Sequence, residues 1–411
     1  LGRRQAHDQS LLDLWGEHRV SNPPTAPDFM HQFVLAADQF VVKRVINNKD
    51  GNSIIAGYHW FGDWGRDTMI SLPGLTLTTG RPEIAKNILE TYAQFVNEGM
   101  LPNRFPDGAS QPEYNTIDAT FWYFQAIKSY FDATNDEQLV KTIFPKLEEI
   151  INAHVEGTRY NIHVDPNDGL LFGGQDGVQL TWMDAKVNNI VITPRIGKPV
   201  EVNALWYNAL RFMATFAERF GMSNASTYKT MADKVQTSFA RFWNADKNYC
   251  YDVIDGPSGN DPALRPNQIF AVSLPDSPLT TEQQSAVVDV CAQELLTSHG
   301  LRSLAPSDPA YIGIYTGDQW HRDSAYHQGT VWGWLIGPFI SAHLKVYQNT
   351  AQAEQILFSL VDHLQAVGTG NTSEIFDGDA PFSAKGTIAQ AWSVAEILRI
   401  FEQIEHLKIK N

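Results

Sequence analysis

Five carboxylates stand out by the company they keep. Asp63, Asp67, Asp118, Asp184 and Glu374 each lie within a few residues of an aromatic side chain. Trp64, Arg66, Tyr114, Asn115, Trp182, Asn203, His327, Gln328 and Trp332 fall in the same or neighbouring polar-aromatic clusters. Side chains of these types suit a sugar: polar groups bind hydroxyls while ring faces cover the apolar C–H side of a pyranose. Breaking a glycosidic bond also needs two carboxyl groups, a protonated acid for the leaving oxygen and a base or nucleophile. The acid must have its pKa raised, which an aromatic, partly desolvated setting provides. Asp184, in Thr181-Trp182-Met183-Asp184-Ala185, and Glu374, in Ser373-Glu374-Ile375-Phe376, have such settings. Taken singly, a loop carboxylate is more often a helix cap or ion pair, and a large aromatic is more often core. Trp64, Trp182 and Trp332 are the tryptophans assigned here to a pocket wall.

Other chemistries lack their residues. No Gly-x-Gly-x-x-Gly or Walker loop is present for phosphates, and no Gly-x-Ser-x-Gly elbow for a nucleophilic serine. The twelve histidines form no His-Glu-x-x-His pair, so no zinc site is expected. Asp165-Pro166-Asn167-Asp168-Gly169 has the look of the start of a calcium loop, but it lacks the closing Glu and is read as a turn. Neither metal nor cofactor is expected.

Charge and composition narrow the partners. The 411 residues carry 31 basic and 46 acidic side chains, a net −15, so nucleic acid and anionic membranes are poor partners. The most apolar stretch, residues 330–344, is too short to span a bilayer and contains Pro338 and His343. Two cysteines cannot build a disulfide framework and read as reduced thiols of a cytoplasmic protein. Hydrophobic residues at 43% against 19% charged imply a large dry core.

The elements that must position the clusters are helical. Met30, Phe33, Val34, Ala37, Phe40, Val41 and Val45 follow the three–four spacing of one helix face. Such patterns and their N-terminal signals predict twelve helices, over 28–47, 67–79, 81–98, 116–132, 136–153, 200–220, 223–243, 267–274, 280–295, 325–347, 350–365 and 387–404. A further short helix is expected near 8–16. Residues 1–27 are read as a linker before a single domain over 28–411, and the non-Met start at Leu1 as a fragment boundary. The polar-aromatic clusters fall at the start of every second helix. Alternate helices of antiparallel pairs point the same way, so those starts share one end. The expectation is an all-α fold, an (α/α)6 barrel with short β-hairpins in its loops and one deep pocket.

The motifs themselves resemble a known family. Asp63-Trp64-Gly65-Arg66-Asp67-Thr68-Met69-Ile70-Ser71-Leu72-Pro73-Gly74, Tyr114-Asn115-Thr116-Ile117-Asp118-Ala119 and Thr181-Trp182-Met183-Asp184-Ala185 resemble the amylo-α-1,6-glucosidase domain of glycogen debranching enzymes. So do Val200-Glu201-Val202-Asn203-Ala204-Leu205-Trp206, Tyr326-His327-Gln328-Gly329-Thr330-Val331-Trp332 and Gln390-Ala391-Trp392-Ser393, in the family's order. A more distant likeness links Trp64-Gly65-Arg66-Asp67-Thr68 to the glucoamylase motif whose Arg and Asp bind the non-reducing glucose. The resemblance implies an (α/α)6 barrel that cleaves with inversion and releases glucose from α-1,6 branch stubs of glycogen or limit dextrin. It implies Asp184 as acid and Glu374 as base. Arg66 and Asp67 would grip the sugar, and Asp63, Tyr114, Asn115, Asp118, Asn203, His327 and Gln328 would line the pocket. An acid that is Asp rather than the glucoamylase Glu favours the debranching branch. Bacterial relatives carry a β-rich domain ahead of the barrel, which this sequence lacks. Two other readings stay open: an α-1,4-glucoamylase, trehalase or oligosaccharide glucosidase on the same barrel, and a carbohydrate-binding domain without catalysis.

Overall fold

The computed structural model describes residues 2–19, 26–46, 49–106, 111–368 and 370–410. Some helices have apolar or small residues on every side, and others carry a single apolar stripe. That difference sorts them into two layers. In α3 (Gly65–Leu72) every residue is buried, and α7 (Val200–Arg219) is buried along most of its surface. With α5 (Ala119–Thr134), α9 (Phe270–Ser273), α12 (Ile336–Tyr347) and α15 (Ala391–Lys410) they form a closed cycle. Each packs on the next, and α15 returns to α3. Stripe helices lie against this cycle: α2 (Asp28–Phe40) on α15, α4 (Pro82–Ala93) and α6 (Glu137–Glu156) on α5, and α8 (Ala225–Ser238) on α7. In the same way α10 (Thr281–Glu294) lies on α9 and α12, and α13 (Thr350–Phe358) on α12 and α15. The stripe of α8 is Tyr228, Ala232 and Val235, one face at helical spacing. The cycle closes at backbone contact: a Cβ on Gly74, in the turn that extends α3, would lie 1.9 Å from the carbonyl oxygen of Ala395 in α15.

The segment read as a linker contains helix α1 (Gly2–His18), which buries Leu11 and Trp15 and packs on α2; residues 20–25 lie outside the described set. Helix ends follow local chemistry. Thr280 and Gln283 form a reciprocal capping box at α10, and the Asp136 carboxylate accepts from Leu139 N at α6.

Several predicted helices are shorter or divided, and three of them bear on the architecture. The helix over 28–47 ends at Phe40, where the β-branched run Val41–Ile46 instead pairs antiparallel with Lys49–Ile54; residue 47 lies outside the described set. The helix over 350–365 divides into α13 and α14 (Val361–Ala366). The helix over 325–347 is interrupted, and this matters most. The chain leaves α11 (Gln319–Ala325), turns at Gly329 with φ +150°, and lays Val331–Trp332 into a five-stranded sheet before α12 begins. There Trp332 pairs with Ile375 and Val331 with Phe376. Two segments over forty residues apart in sequence, Trp332 and Glu374, are thereby set side by side, with Gly333 N donating to Glu374 O at 3.3 Å.

Candidate active site

A cleft of about 660 Å³ opens where the inner helices begin. The start of α3 supplies Trp64, Arg66 and Asp67, and the start of α15 supplies Gln390 and Trp392. The loop before α7 brings Trp182 and Asp184, and the sheet and its flanks bring Tyr326, Trp332 and Glu374. A second, larger cavity of about 750 Å³ is lined by residues further along the same helices, including Ser129, Ser341 and Gln403. Its one carboxylate, Glu396, is neutralised by Arg399 at 2.5 Å, so it has no free acid or base to offer.

Charge in the cleft is under-compensated. Four carboxyl groups, Asp67, Asp184, Asp323 and Glu374, line the cleft with two cations, of which Lys186 donates to Gly177 O at 2.7 Å and Arg66 is shared with the fully buried Asp118 at 2.8 Å. Burial pushes Asp67 up to about 8, with the nearby Asp184 and Glu374 adding to the rise against the pull of Arg66. Burial raises Glu374 to about 7. Asp184 rises to about 6 for the same reason, held back by Arg66 at 3.3 Å. The two candidate catalytic groups differ in their surroundings. Glu374 is 2% exposed and already holds two donors, the Tyr326 hydroxyl and Thr387 N at 3.0 Å, a set suited to its ionised form. The Asp184 side chain remains 30% open to the cleft. A bound sugar would strip that remaining water and favour the protonated form.

Close packing holds Glu374 in place. A Cβ on Gly386, at φ +65°, would fall 2.2 Å from Glu374 Oε2, so only glycine lets Thr387 N reach that carboxylate. Behind the wall, Trp182 donates to Asn267 at 2.7 Å. Asn267 donates to Asp252 at 2.7 Å, and Asp252 is pinned by Arg195 at 2.8 Å.

Of the residues expected in the pocket, Trp64, Arg66, Asp67, Trp182, Asp184, Trp332 and Glu374 line the cleft. The others stand behind it. Asp63 is gripped by Arg44 at 2.9 Å and Asp118 anchors Arg66. Tyr114 donates to Phe95 O at 2.8 Å beneath the Arg159 guanidinium, and Asn115 offers its backbone oxygen to Asn103. Asn203 latches α7 to Leu171 through both backbone groups. Gln328 accepts from Arg265 at 2.7 Å. His327 is fully buried, stacked on the far face of the wall against Trp332 at 5.0 Å, and burial keeps its pKa well below the usual histidine value. Backbone groups or an opposite charge take the polar groups of Asp63, Asp118, Tyr114 and Asn203, and Arg265 takes the Gln328 oxygen, whereas both ring nitrogens of His327 lack a hydrogen-bond partner. Phe61, Lys186, Asp323, Tyr326, Gln390 and Trp392 were not among the assigned residues and do line the cleft. Tyr326, Gln390 and Trp392 stood in the family motifs, and that was their only signal.

Among the described residues, the one acidic group spaced to hold a metal is Asp165, Asp168 and Asp255. The Lys198 ammonium sits between all three at 2.7–2.8 Å, and Arg241 pairs with Asp168 and Asp255, so cations of the chain itself fill that place.

Comparisons with known proteins bear on the family and the fold. The family model described as Amylo-alpha-1,6-glucosidase matches residues 35–399. The chain belongs to the amylo-alpha-1,6-glucosidase family. It is thus a glycoside hydrolase by descent. The Glycogen debranching enzyme of Saccharomyces cerevisiae is 28% identical over 448 aligned positions, covering 82% of this chain and 29% of the yeast protein. The chain therefore spans less than a third of that relative. The GH63 mannosylglycerate hydrolase of Thermus thermophilus in complex with Tris superposes with TM-score 0.67 at 13% identity, over 90% of this chain and 99% of the other. The same hydrolase in complex with glucose gives 0.66 at 14%, over 91% and 99%. A GH78 family rhamnosidase of a Bacillus species gives 0.57 at 17%, over 82% and 31%. These likenesses concern the fold.

Proposed function

We propose that this amylo-alpha-1,6-glucosidase family member is an inverting α-glucosidase that releases glucose from α-1,6 branch stubs of glycogen or limit dextrin. The observation that carries the reading is the cleft's pair of carboxyls, Asp184 and Glu374, in opposed surroundings on one aromatic-walled pocket. The closed cycle of six helices with six more against it is read as an (α/α)6 barrel, and residues 28–411 as one catalytic unit. In this reading Asp184 gives its proton to the bridging oxygen as the C1–O bond breaks. Glu374 takes a proton from a water attacking C1 from the opposite face, so one glucose leaves with inverted configuration and the glucan regains a hydroxyl. In this reading Arg66 and Asp67, whose carboxyl burial pushes up to about 8, hold sugar hydroxyls. No helix among the described residues is long and apolar enough to cross a membrane, which suits a glucan substrate met in water.

The test is product analysis on isomaltosides, limit dextrin and maltosides, with proton NMR following the anomer first released. Release of β-glucose from the α-1,6 substrates is expected. Preference for maltosides would turn the reading to an α-1,4-glucoamylase, and α-glucose as first product would exclude inversion. Binding without any release would leave a carbohydrate-binding domain.

A further inference from the structure

Several of the large apolar side chains at the surface of this molecule adjoin cleft residues in the chain. Among the described residues eleven are exposed, and four of them, Trp60, Ile190, Trp320 and Ile388, lie within four residues of a position that lines the cleft. Trp60 precedes the cleft residue Phe61, and Trp320 lies one helical turn before Asp323 on α11. Ile190 is in the hairpin that pairs Lys186 with Val191, and Ile388 is two residues from Gln390. The loop holding Ile312 and Ile314 leads to Tyr315, whose ring meets Tyr326 at 5.9 Å.

The tryptophans make the point most sharply. The chain has eleven, and nine are buried or half-buried. The remaining two are Trp60, 61% exposed, and Trp320, 42% exposed. Trp60 is also the outer rung of an aromatic ladder. Its ring lies 6.1 Å from Phe61, and Phe61 lies 6.3 Å from Trp64 on the cleft wall. Beside Trp320, His321 pairs with Asp318, and Arg322 donates to Gly317 O at 2.6 Å. Exposed indoles next to a cleft are suited to cover the apolar faces of a neutral partner such as a sugar.

We propose that Trp60 and Trp320 form a stacking platform for the leaving-group side of the substrate, a run of α-linked glucose units extending from the cleft over its rim. The inference rests on the glucan reading above. The ladder makes it continuous with the cleft: a terminal glucose held at Trp64 has its attached chain leaving through the mouth, where apolar pyranose faces meet exposed indoles.

Trp60→Ala and Trp320→Ala remove exposed rings, so the melting temperature should stay near that of the native chain. Retardation in native gels containing glycogen should weaken roughly 2–12-fold for each, the range of one aromatic contact, and further in the double variant. The KM for limit dextrin divided by the KM for glucosyl fluoride, which has no sugar beyond C1, should rise by a similar factor. Undiminished retardation, or equal rises in both KM values, would overturn the platform. So would a native dimer that Trp60→Ala dissolves, since the rim would then be a protein interface. If the native chain hydrolyses no glucoside, the proposed function fails, yet glycogen retardation still decides the platform.

Discussion

Two acidic clusters of the same size sit in one chain and behave oppositely. Asp165, Asp168 and Asp255 surround the Lys198 ammonium and share Arg241, two cations for three carboxylates. Hydrogen bonds from Lys198 hold Asp165 below the usual carboxylate range, and Asp255 is likewise lowered despite its partial burial. Asp67 and Asp184 share Arg66, which Asp118 also claims, Glu374 is met by the neutral Tyr326 hydroxyl and Thr387 N, and all three rise. Acidic residues in a group therefore say little about function. What separates a structural knot from a reacting site is whether the fold supplies enough counter-charge.

The strongest way to break this comparison is to neutralise the cleft pair. Glu374→Gln should lose on the order of 10²–10⁴ in kcat on every substrate, because each needs an activated water. Asp184→Asn should lose that much on α-1,6 stubs yet keep much of its glucosyl fluoride hydrolysis, since fluoride leaves without a donated proton. Steady-state kinetics on both substrates checks the pair, and the reverse pattern would exchange the two roles.

The knot should respond in stability instead. Lys198→Met leaves Arg241 alone with three carboxylates and should cost on the order of 2–3 kcal/mol. That figure is already reduced because Asp165 and Asp255 are 26% and 35% exposed. Urea unfolding should show the loss, while turnover of glucosyl fluoride below the transition stays near native.

A smaller change sharpens the account of the base. Tyr326→Phe removes a hydroxyl that donates to Glu374 and favours its ionised form. It should lower kcat by about tenfold, the worth of one hydrogen bond to a charged group. It should also move the limb of the pH–rate profile that belongs to Glu374 upward. A merely structural tyrosine would lower stability without moving that limb.

The least effect concerns stability against pH. Raised carboxyl pKa values stabilise the fold below the ordinary carboxylate range, and that contribution is lost as pH rises through about 6, 7 and 8. The knot works the other way: its contribution is present above that range and is lost only as pH falls through the lowered values of Asp165 and Asp255. Asp67→Asn should therefore flatten the fall in melting temperature between about pH 4 and 8, by at most a few degrees, and leave the acid-side loss from Asp165 and Asp255 unchanged.

Much of this was legible in the chain. Periodic apolar residues located the helices, and the two layers follow from which helices are apolar all round. The motifs carried the family, and the Trp-Met-Asp and Ser-Glu segments held two of the cleft carboxyls, Asp184 and Glu374. Sequence did not separate the residues that face the cleft from those that stand behind it. Tyr326 and His327 are adjacent, yet one donates to Glu374 and the other stacks dry against Trp332. Asp67 and Asp118 look alike in their motifs, but one faces the cleft and the other is consumed by Arg66.

The sequence by itself determined residue types, their order and their helical phase, because those depend on neighbours a few positions away. Only the tertiary structure decided which carboxyls share a wall and how much counter-charge reaches them. Those depend on strand register, as where Trp332 pairs with Ile375, and on backbone contacts such as Gly386 against Glu374. Burial and Coulomb terms act through distance in space, and the chain order does not contain that distance.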